Sequence, residues 1–336
     1  MDPDSIGTID RVRHGGHADD DQLEFSANVN PTVPDGVASV YEKALDELGA
    51  YPPEPPDAFV DAAAEYVGAD PESVIPTPGG LAAIRLAIET TVEQGDAVLV
   101  PAPSFGEYER EIALQGATPR RVPPSELLDA NPDEHALAVV CNPNNPTGEA
   151  YDRDRLLGFV ERARSAGTPV LVDEAFVGFT ERESLAGTDG AIVARSLTKL
   201  FGMPGLRAGF AVATGPLGER LRRTRRPWNL GLPALRVGTY CMAQTEFVQE
   251  TRERVRRERR RMAETLEQRY DVTPSDAPFV LLEVTDEPVD EVIERCERRG
   301  LRIRDARTFP GLDSHVRVAI RRPAENRRLE AALLDV

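Results

Sequence analysis

The chain has 336 residues, is 40% apolar, and carries 57 acidic against 40 basic side chains, a net charge of −17. Such a surface repels phosphate backbones unless its basic residues are segregated, which argues against nucleic acid as a partner. No apolar run approaches the roughly 20 residues of a membrane helix, so no membrane partner is expected.

The acidic start, MDPDSIGTID, lacks the basic and apolar regions of a secretory signal. Cysteines at 141, 241 and 296 are too scattered for a disulfide framework or a metal motif, so a cytoplasmic, reducing setting is expected. Lysine occurs only at 43 and 199; every other basic side chain is arginine. Heavy acid with almost no lysine also suits a halophilic protein, whose self-repulsion concentrated salt screens.

Taken in chain order, residues 1–49 form a polar arm that ends in a helix over 37–48. A proline-rich loop, YPPEPP (51–56), leads to a helix over 58–66. Short apolar runs then alternate with helical patterns: AVLVPAP (97–103), ALAVVCNP (136–143), PVLVDEAF (169–176), AIVARS (191–196) and AGFAVAT (208–214). Unbroken runs of this length suit strands buried on both faces and joined by helical crossovers, hence a mainly parallel sheet. A long charged helix is expected over 245–269; its interspersed glutamates make RERVRRERRRMAE (252–264) a solvated face rather than a basic patch. FVLLEV (279–284), a helix over 289–299, LRIRD (301–305) and HVRVAI (315–320) then suggest a small α/β unit. The expected class is α/β: a large domain over 50–240 and a small C-terminal domain over 241–336, to which the arm 1–49 contributes.

In this layout ligands gather at the carboxyl ends of strands, and three motifs fall there: NPNNPTG (142–148), VDEAF (172–176) and SLTK (196–199). Alone, each has a bland reading, respectively an Asn/Pro turn, a helix cap and a surface lysine. Their order is more specific. Tyr-Pro, a Gly-rich turn, Pro-Ser-aromatic, Asn-Pro-Thr-Gly, Asp-x-Ala, Ser-x-x-Lys and a following arginine resemble the fold type I pyridoxal-phosphate (PLP) enzymes over nearly the whole chain.

The resemblance implies that Lys199 carries the cofactor as a Schiff base, a task arginine cannot perform because it keeps its proton. It puts Asp173 on the pyridinium nitrogen, Asn145 on the phenolate oxygen and Phe105 on the ring face. The amides of Gly79 and Gly80, with Ser196 and Arg207, would hold the cofactor phosphate. Tyr51 would reach that phosphate from a neighbouring subunit, so a homodimer is implied. Two positions depart from the pattern. Leu81 and Ala82 stand where relatives carry hydroxyl and acidic side chains, and Phe176 replaces a tyrosine common in aminotransferases.

HGG (14–16), SANVNP, DEAF, PWNLG and the C-terminal RIRD…HVRVAI look most like the L-threonine-O-3-phosphate decarboxylases of cobalamin biosynthesis, with histidinol-phosphate aminotransferases as the alternative. The substrate is then a small phosphorylated amino acid. The resemblance sets Arg317 on its carboxylate, His14 and Arg304 on its phosphate, and Asn28 in the same pocket. Arg304 also reads as an ordinary surface arginine, whereas Arg317, on an apolar strand, needs a partner. His14 and His17 could pair on a metal, but no third ligand lies near in sequence.

In either chemistry the bond broken at Cα is the one perpendicular to the cofactor ring. A decarboxylase must turn the carboxylate there, an aminotransferase the α-hydrogen. A ligand sensor without turnover is disfavoured by intact Lys199, Asp173 and Arg207 and by the lack of an added DNA-binding segment. A nucleotide-binding protein is disfavoured by the absence of G-x-G-x-x-G and Walker motifs.

Overall fold

The apolar runs of the middle of the chain become strands of one sheet in the computed structural model, which describes residues 1–12, 14–16 and 21–335. The strands of the chain are β1 (Leu23–Glu24), β2 (Val74–Thr77), β3 (Ala97–Pro101), β4 (Thr118–Val122), β5 (Leu137–Cys141), β6 (Val170–Asp173) and β7 (Ala191–Ser196). They continue with β8 (Gly209–Val212), β9 (Asp271–Val272), β10 (Phe279–Glu283), β11 (Leu301–Arg302), β12 (Arg304–Asp305) and β13 (His315–Ala319). The large sheet has the order β2-β8-β7-β6-β5-β3-β4, and only β8 runs against its neighbours.

Period-two alternation explains why unbroken apolar runs are needed here. Leu99, Val140, Val172, Val193 and Phe210 point into one core; Val98, Val139, Leu171, Ile192 and Ala211 point into the other. Helices Gly80–Thr91 and Glu107–Leu114 cover the second face, while Asp57–Val67, Arg153–Ala166, Leu232–Met242 and Thr245–Leu266 cover the first. Each Val, Leu or Ile so buried contributes about 1.5–3 kcal/mol.

Two strands of this sheet escape the hydrophobic pattern. β2 is four residues with an internal proline, and β4 is a polar edge strand, TPRRV, whose charges suit an edge. The helix expected over 37–48 ends at Leu45, and the long charged helix ends at Leu266.

The smaller sheet, ordered β12-β13-β10-β9, is antiparallel throughout. The N-terminal arm joins it from the other end of the chain: β1 pairs in parallel with β11, and the Phe25 carbonyl accepts the Ala319 amide at 3.0 Å. Helix Val37–Leu45 instead packs on Leu232–Met242. Phe279, Val280, Leu282, Val316 and Val318 of the small sheet belong to the same apolar core as Val172 and Phe210 of the large one. Among the described residues no helix is long and apolar enough to cross a membrane, and the three cysteines are buried and unpaired.

One buried ion pair fastens the strand ends that matter below. Glu174 and Arg195, 1% and 6% exposed, meet at 3.0 Å. Glu174 also accepts the Leu185 amide and the Ser184 hydroxyl, and Arg195 lies over the Tyr66 ring at 5.3 Å. Because side chains alternate, this pair points away from the face that Asp173 and Ser196 present one residue away. Removing one partner strands a buried charge, so Glu174→Ala should lower unfolding stability by about 3–5 kcal/mol in urea titration. A change below 1 kcal/mol would contradict this bracing role.

Candidate active site

The carboxyl ends of β5, β6 and β7 meet the start of helix Gly80–Thr91 and the strands β12 and β13 around a cavity of about 650 Å³. All the expected site residues line it except Gly79 and Tyr51.

Lys199 sits on the short helix Leu197–Leu200 that ends β7. Its ammonium has no hydrogen-bond partner among the described residues. Desolvation, helped by the nearby positive charges of Arg317 and Arg207, pushes its pKa down to about 8.

Asp173, the last residue of β6, is 5% exposed. One carboxylate oxygen accepts the Tyr108 hydroxyl at 2.6 Å and the other accepts the Ala175 amide at 2.9 Å. Burial raises its pKa, against those two hydrogen bonds and the Lys199 charge. Tyr108, fully buried and with its own pKa raised by desolvation and then by Asp173, stays protonated and donates. The sequence reading did not single out Tyr108. Its signal is the last residue of PAPSFGEY, three places after Phe105, against whose ring it packs edge-on at 5.5 Å. Cys141, opposite Asp173 across the ladder, is held as an inert thiol by a pKa pushed up to about 12, chiefly by burial.

NPNNPTG is braced from within. Asn144 accepts the Ser104 hydroxyl at 2.8 Å and donates to Thr147 at 3.0 Å, while Asn142 accepts the Tyr151 amide. This holds Asn145 so that its amide oxygen accepts from Arg317, which leaves its NH2 as the group able to donate into the cavity.

Arg317 is the most constrained cation of the site. It is 5% exposed, donates to the Ser26 carbonyl at 2.8 Å, and lies over Phe279 at 5.0 Å and Phe309 at 5.9 Å. No carboxylate pairs with it among the described residues, and its Nε has no partner. Desolvation, and then the neighbouring Arg304, push its pKa down to about 9. Arg304 stands directly opposite it across the β12–β13 ladder, half-buried, bonded to Thr308 and over the Phe309 ring at 5.5 Å. Like charges directly opposite destabilise a ladder unless something negative comes between them.

The anion cradle at the helix start needs one correction. The Gly79 amide donates to the Thr77 carbonyl at 2.7 Å, so the amides left open are those of Gly80 and Leu81. Gly79 serves by shape: its φ is +92°, and a Cβ there would lie 2.5 Å from the Arg207 guanidinium. A Cβ at Gly209 would likewise strike the Arg195 carbonyl and Gly79. Ser196, hydrogen-bonded to Thr198 at 2.9 Å, and Arg207, with no carboxylate partner among the described residues, complete the cradle. Two open amides at a helix start, two hydroxyls and an arginine fit a dianionic phosphate. A buried carboxylate fits a ring N–H⁺, and Lys199 fits an aldehyde. The donor set therefore suits PLP.

His14 lines the opposite side of the cavity, bonded to Glu107 at 2.8 Å and tilted over Phe105 at 5.6 Å. Asn28 is 4% exposed and its amide oxygen has no partner. Phe176 is buried edge-on against Phe279 at 5.2 Å and offers no hydroxyl. Tyr51 lies elsewhere, 81% exposed and 5.0 Å from Trp228. Among the described residues no cluster suits a metal; His17 lies outside them.

The chain matches the model of the aminotransferase class I and II family over residues 20–333. It is 33% identical to the threonine-phosphate decarboxylase of Salmonella typhimurium over 341 residues, covering 96% of this chain and 93% of that one. It is 31% identical to a histidinol-phosphate aminotransferase of Methanoculleus marisnigri over 335 residues, covering 95% and 92%. The crystal structure of L-threonine-O-3-phosphate decarboxylase from Porphyromonas gingivalis superposes with a TM-score of 0.84 at 26% identity, over 93% of this chain and 98% of that one.

In the cofactor-free protein, the depressed pKa of Lys199 gives a measurable reactivity. At pH 7 roughly one amine in ten is neutral, against a few in ten thousand for an ordinary lysine. The rate of borohydride-trapped attachment of pyridoxal to Lys199, followed by mass spectrometry, should rise with a midpoint near pH 8. A midpoint near that of a free lysine would contradict the desolvated environment.

Proposed function

Because the chain belongs to the class I and II aminotransferase family and is a PLP-dependent enzyme, we propose that it decarboxylates L-threonine O-3-phosphate to (R)-1-aminopropan-2-ol O-phosphate, serving cobalamin biosynthesis. The observation that carries this reading is the pair of arginines facing each other across β12 and β13, one of them buried with no carboxylate partner among the described residues. A substrate with an anion at each end suits this wall: the carboxylate lies against Arg317, and the phosphate against Arg304 and His14. Asn28 offers its orphan amide oxygen to the substrate from the same wall.

Bound PLP supplies an electron sink for the pair of electrons left on Cα when a bond there breaks. The protein residues divide the remaining work. Asp173, held by Tyr108 and Ala175, presents a buried negative charge to the ring nitrogen. Asn145 is fixed by Arg317 so that its NH2 donates to the phenolate oxygen. Gly80, Leu81, Ser196 and Arg207 hold the cofactor phosphate, and Phe105 covers the ring. Carbon dioxide leaves from the carboxylate end, and Lys199 returns a proton to Cα, which its lowered pKa favours. Phe176 leaves the phenolate without a tyrosine hydroxyl, a departure from the usual aminotransferase site.

Transamination of histidinol phosphate is the second reading, supported by the name of the Methanoculleus relative. Histidinol phosphate has no carboxylate for Arg317, whereas the co-substrate glutamate does.

The same reading takes the protein as a homodimer. Tyr41, Leu45, Leu48, Tyr51 and Trp228 are all exposed, a group of large apolar side chains that a partner subunit would cover. Tyr51 would then serve the partner's cofactor phosphate. Mixing Lys199→Ala with Tyr51→Phe chains should yield more activity than either alone, because one mixed site keeps both residues. No gain on mixing would overturn the shared site.

The substrate assay compares L-threonine phosphate, followed by carbon dioxide, with histidinol phosphate plus 2-oxoglutarate, followed by glutamate. Carbon dioxide should appear from the first. Arg304→Ala should weaken its use about 10–100-fold, on the order of a charge-assisted hydrogen bond of 1.5–3 kcal/mol. Cofactor absorbance should be unchanged in this variant. Rapid glutamate formation without carbon dioxide would hand the assignment to the aminotransferase.

A further inference from the structure

Glu107 is a buried carboxylate for which the chemistry above has no use. It opens helix Glu107–Leu114 and is 5% exposed. Its hydrogen-bond partner is His14, whose Nε2 meets Oε1 at 2.8 Å. Arg85 and Arg110 approach Oε2 only to 3.6 and 3.7 Å, and that oxygen has no hydrogen bond. Both arginines instead bond Glu111, at 2.9 and 3.0 Å. The His14 bond, ahead of the arginine charges, holds the Glu107 carboxyl below its ordinary pKa, so it is a charged acceptor at neutral pH.

An acceptor at Nε2 dictates the histidine's proton there. Only Nδ1 is then left for a ligand. On the neutral ring Nδ1 is a lone pair, which repels a phosphate oxygen; on the imidazolium it is a donor. The Phe105 face at 5.6 Å limits how far the ring can turn to exchange its nitrogens.

We propose that Glu107 is a positioning residue that makes His14 bind the substrate phosphate only as an imidazolium, so that substrate binding takes up a proton. This rests on the reading that His14 faces the substrate phosphate. Among the described residues, the other charged groups lining the cavity with His14 include Asp10 and Arg11 on its own segment, Glu109 on the Glu107 helix, and Arg304 from β12. Arg85, Arg110 and Glu111 stand behind Glu107. Arg304 keeps its charge, whereas Arg317, with its pKa pushed down to about 9, is a second group in the cavity that can take up a proton, so the imidazole's share is the part lost when His14 is replaced.

The test uses the holoenzyme and 3-phosphonooxybutanoate, the substrate analogue lacking the amine, so that no reaction at Lys199 intrudes. Calorimetry in two buffers of different ionisation enthalpy counts protons taken up. The sulfate ester, which does not titrate in this range, is the control for the ligand. At pH 8 both esters should bind with proton uptake, and His14→Gln should lower that uptake. Affinity should fall as the pH rises from 5.5 to 8. Glu107→Gln should weaken binding about tenfold at pH 8 and little at pH 5.5. Binding of both esters without proton uptake, or uptake undiminished by His14→Gln, overturns the proposal alone. Binding of neither ester at any pH overturns the substrate reading and this proposal with it.

Discussion

A buried guanidinium with no carboxylate partner among the described residues is the constraint around which this site is built. Arg317 has given up water and receives in exchange only carbonyl-type oxygens and two aromatic faces. Burying an unpaired charge is unfavourable, and the protein compounds the imbalance by setting Arg304 opposite. The rest of the cavity is arranged on the same terms. Lys199 and Arg207 add positive charge, and Asp173, Asp10 and Glu109 oppose it from the same lining. A chain of net charge −17 has thus segregated positive potential into one concavity, where low-dielectric walls strengthen it. Small dianions are what such a hollow concentrates.

Two sheets divide the labour. The large sheet delivers Asp173 and Ser196 as the last residues of their strands, Asn145 from the loop after β5 and Lys199 from the short helix after β7. The antiparallel sheet presents Arg304 and Arg317 side by side. The Asn145–Arg317 hydrogen bond ties the two sets together, and Phe279 packs beneath Arg317 and against Phe176. One shared apolar core underlies both sheets, so their relative position is set by packing and not by a linker.

Much of this was legible in the residues, and the reasons are physical. The strands that carry the site are buried on both faces, which forces long apolar runs such as ALAVVCNP and PVLVDEAF. Rarity did the rest at Lys199, because a chain that replaces lysine with arginine almost everywhere exposes the one place where a deprotonable amine is needed. β2 and β4 were illegible for the complementary reason: an internal proline and an edge position dilute the apolar signal. Tyr108 and Glu107 were also missed. Their tasks depend on partners 65 and 93 positions away in the chain, a relationship that no local pattern carries. The Gly79 amide is a finer case, since the motif correctly marks the turn while the backbone spends that particular donor on Thr77.

That the two arginines belong to a different sheet from the lysine has an evolutionary consequence. On the proposed assignment, bond-breaking capacity resides in one structural layer and the choice of bond in another, joined by the Asn145–Arg317 hydrogen bond and a shared apolar core. On that assignment, sequence drift in β12, β13 and the arm around His14 would redirect which bond is presented while leaving the lysine, the aspartate and the phosphate cradle untouched. Relatives sharing about a third of their residues with this chain bear names for two different reactions. A lineage built this way can change its reaction without reinventing its catalyst.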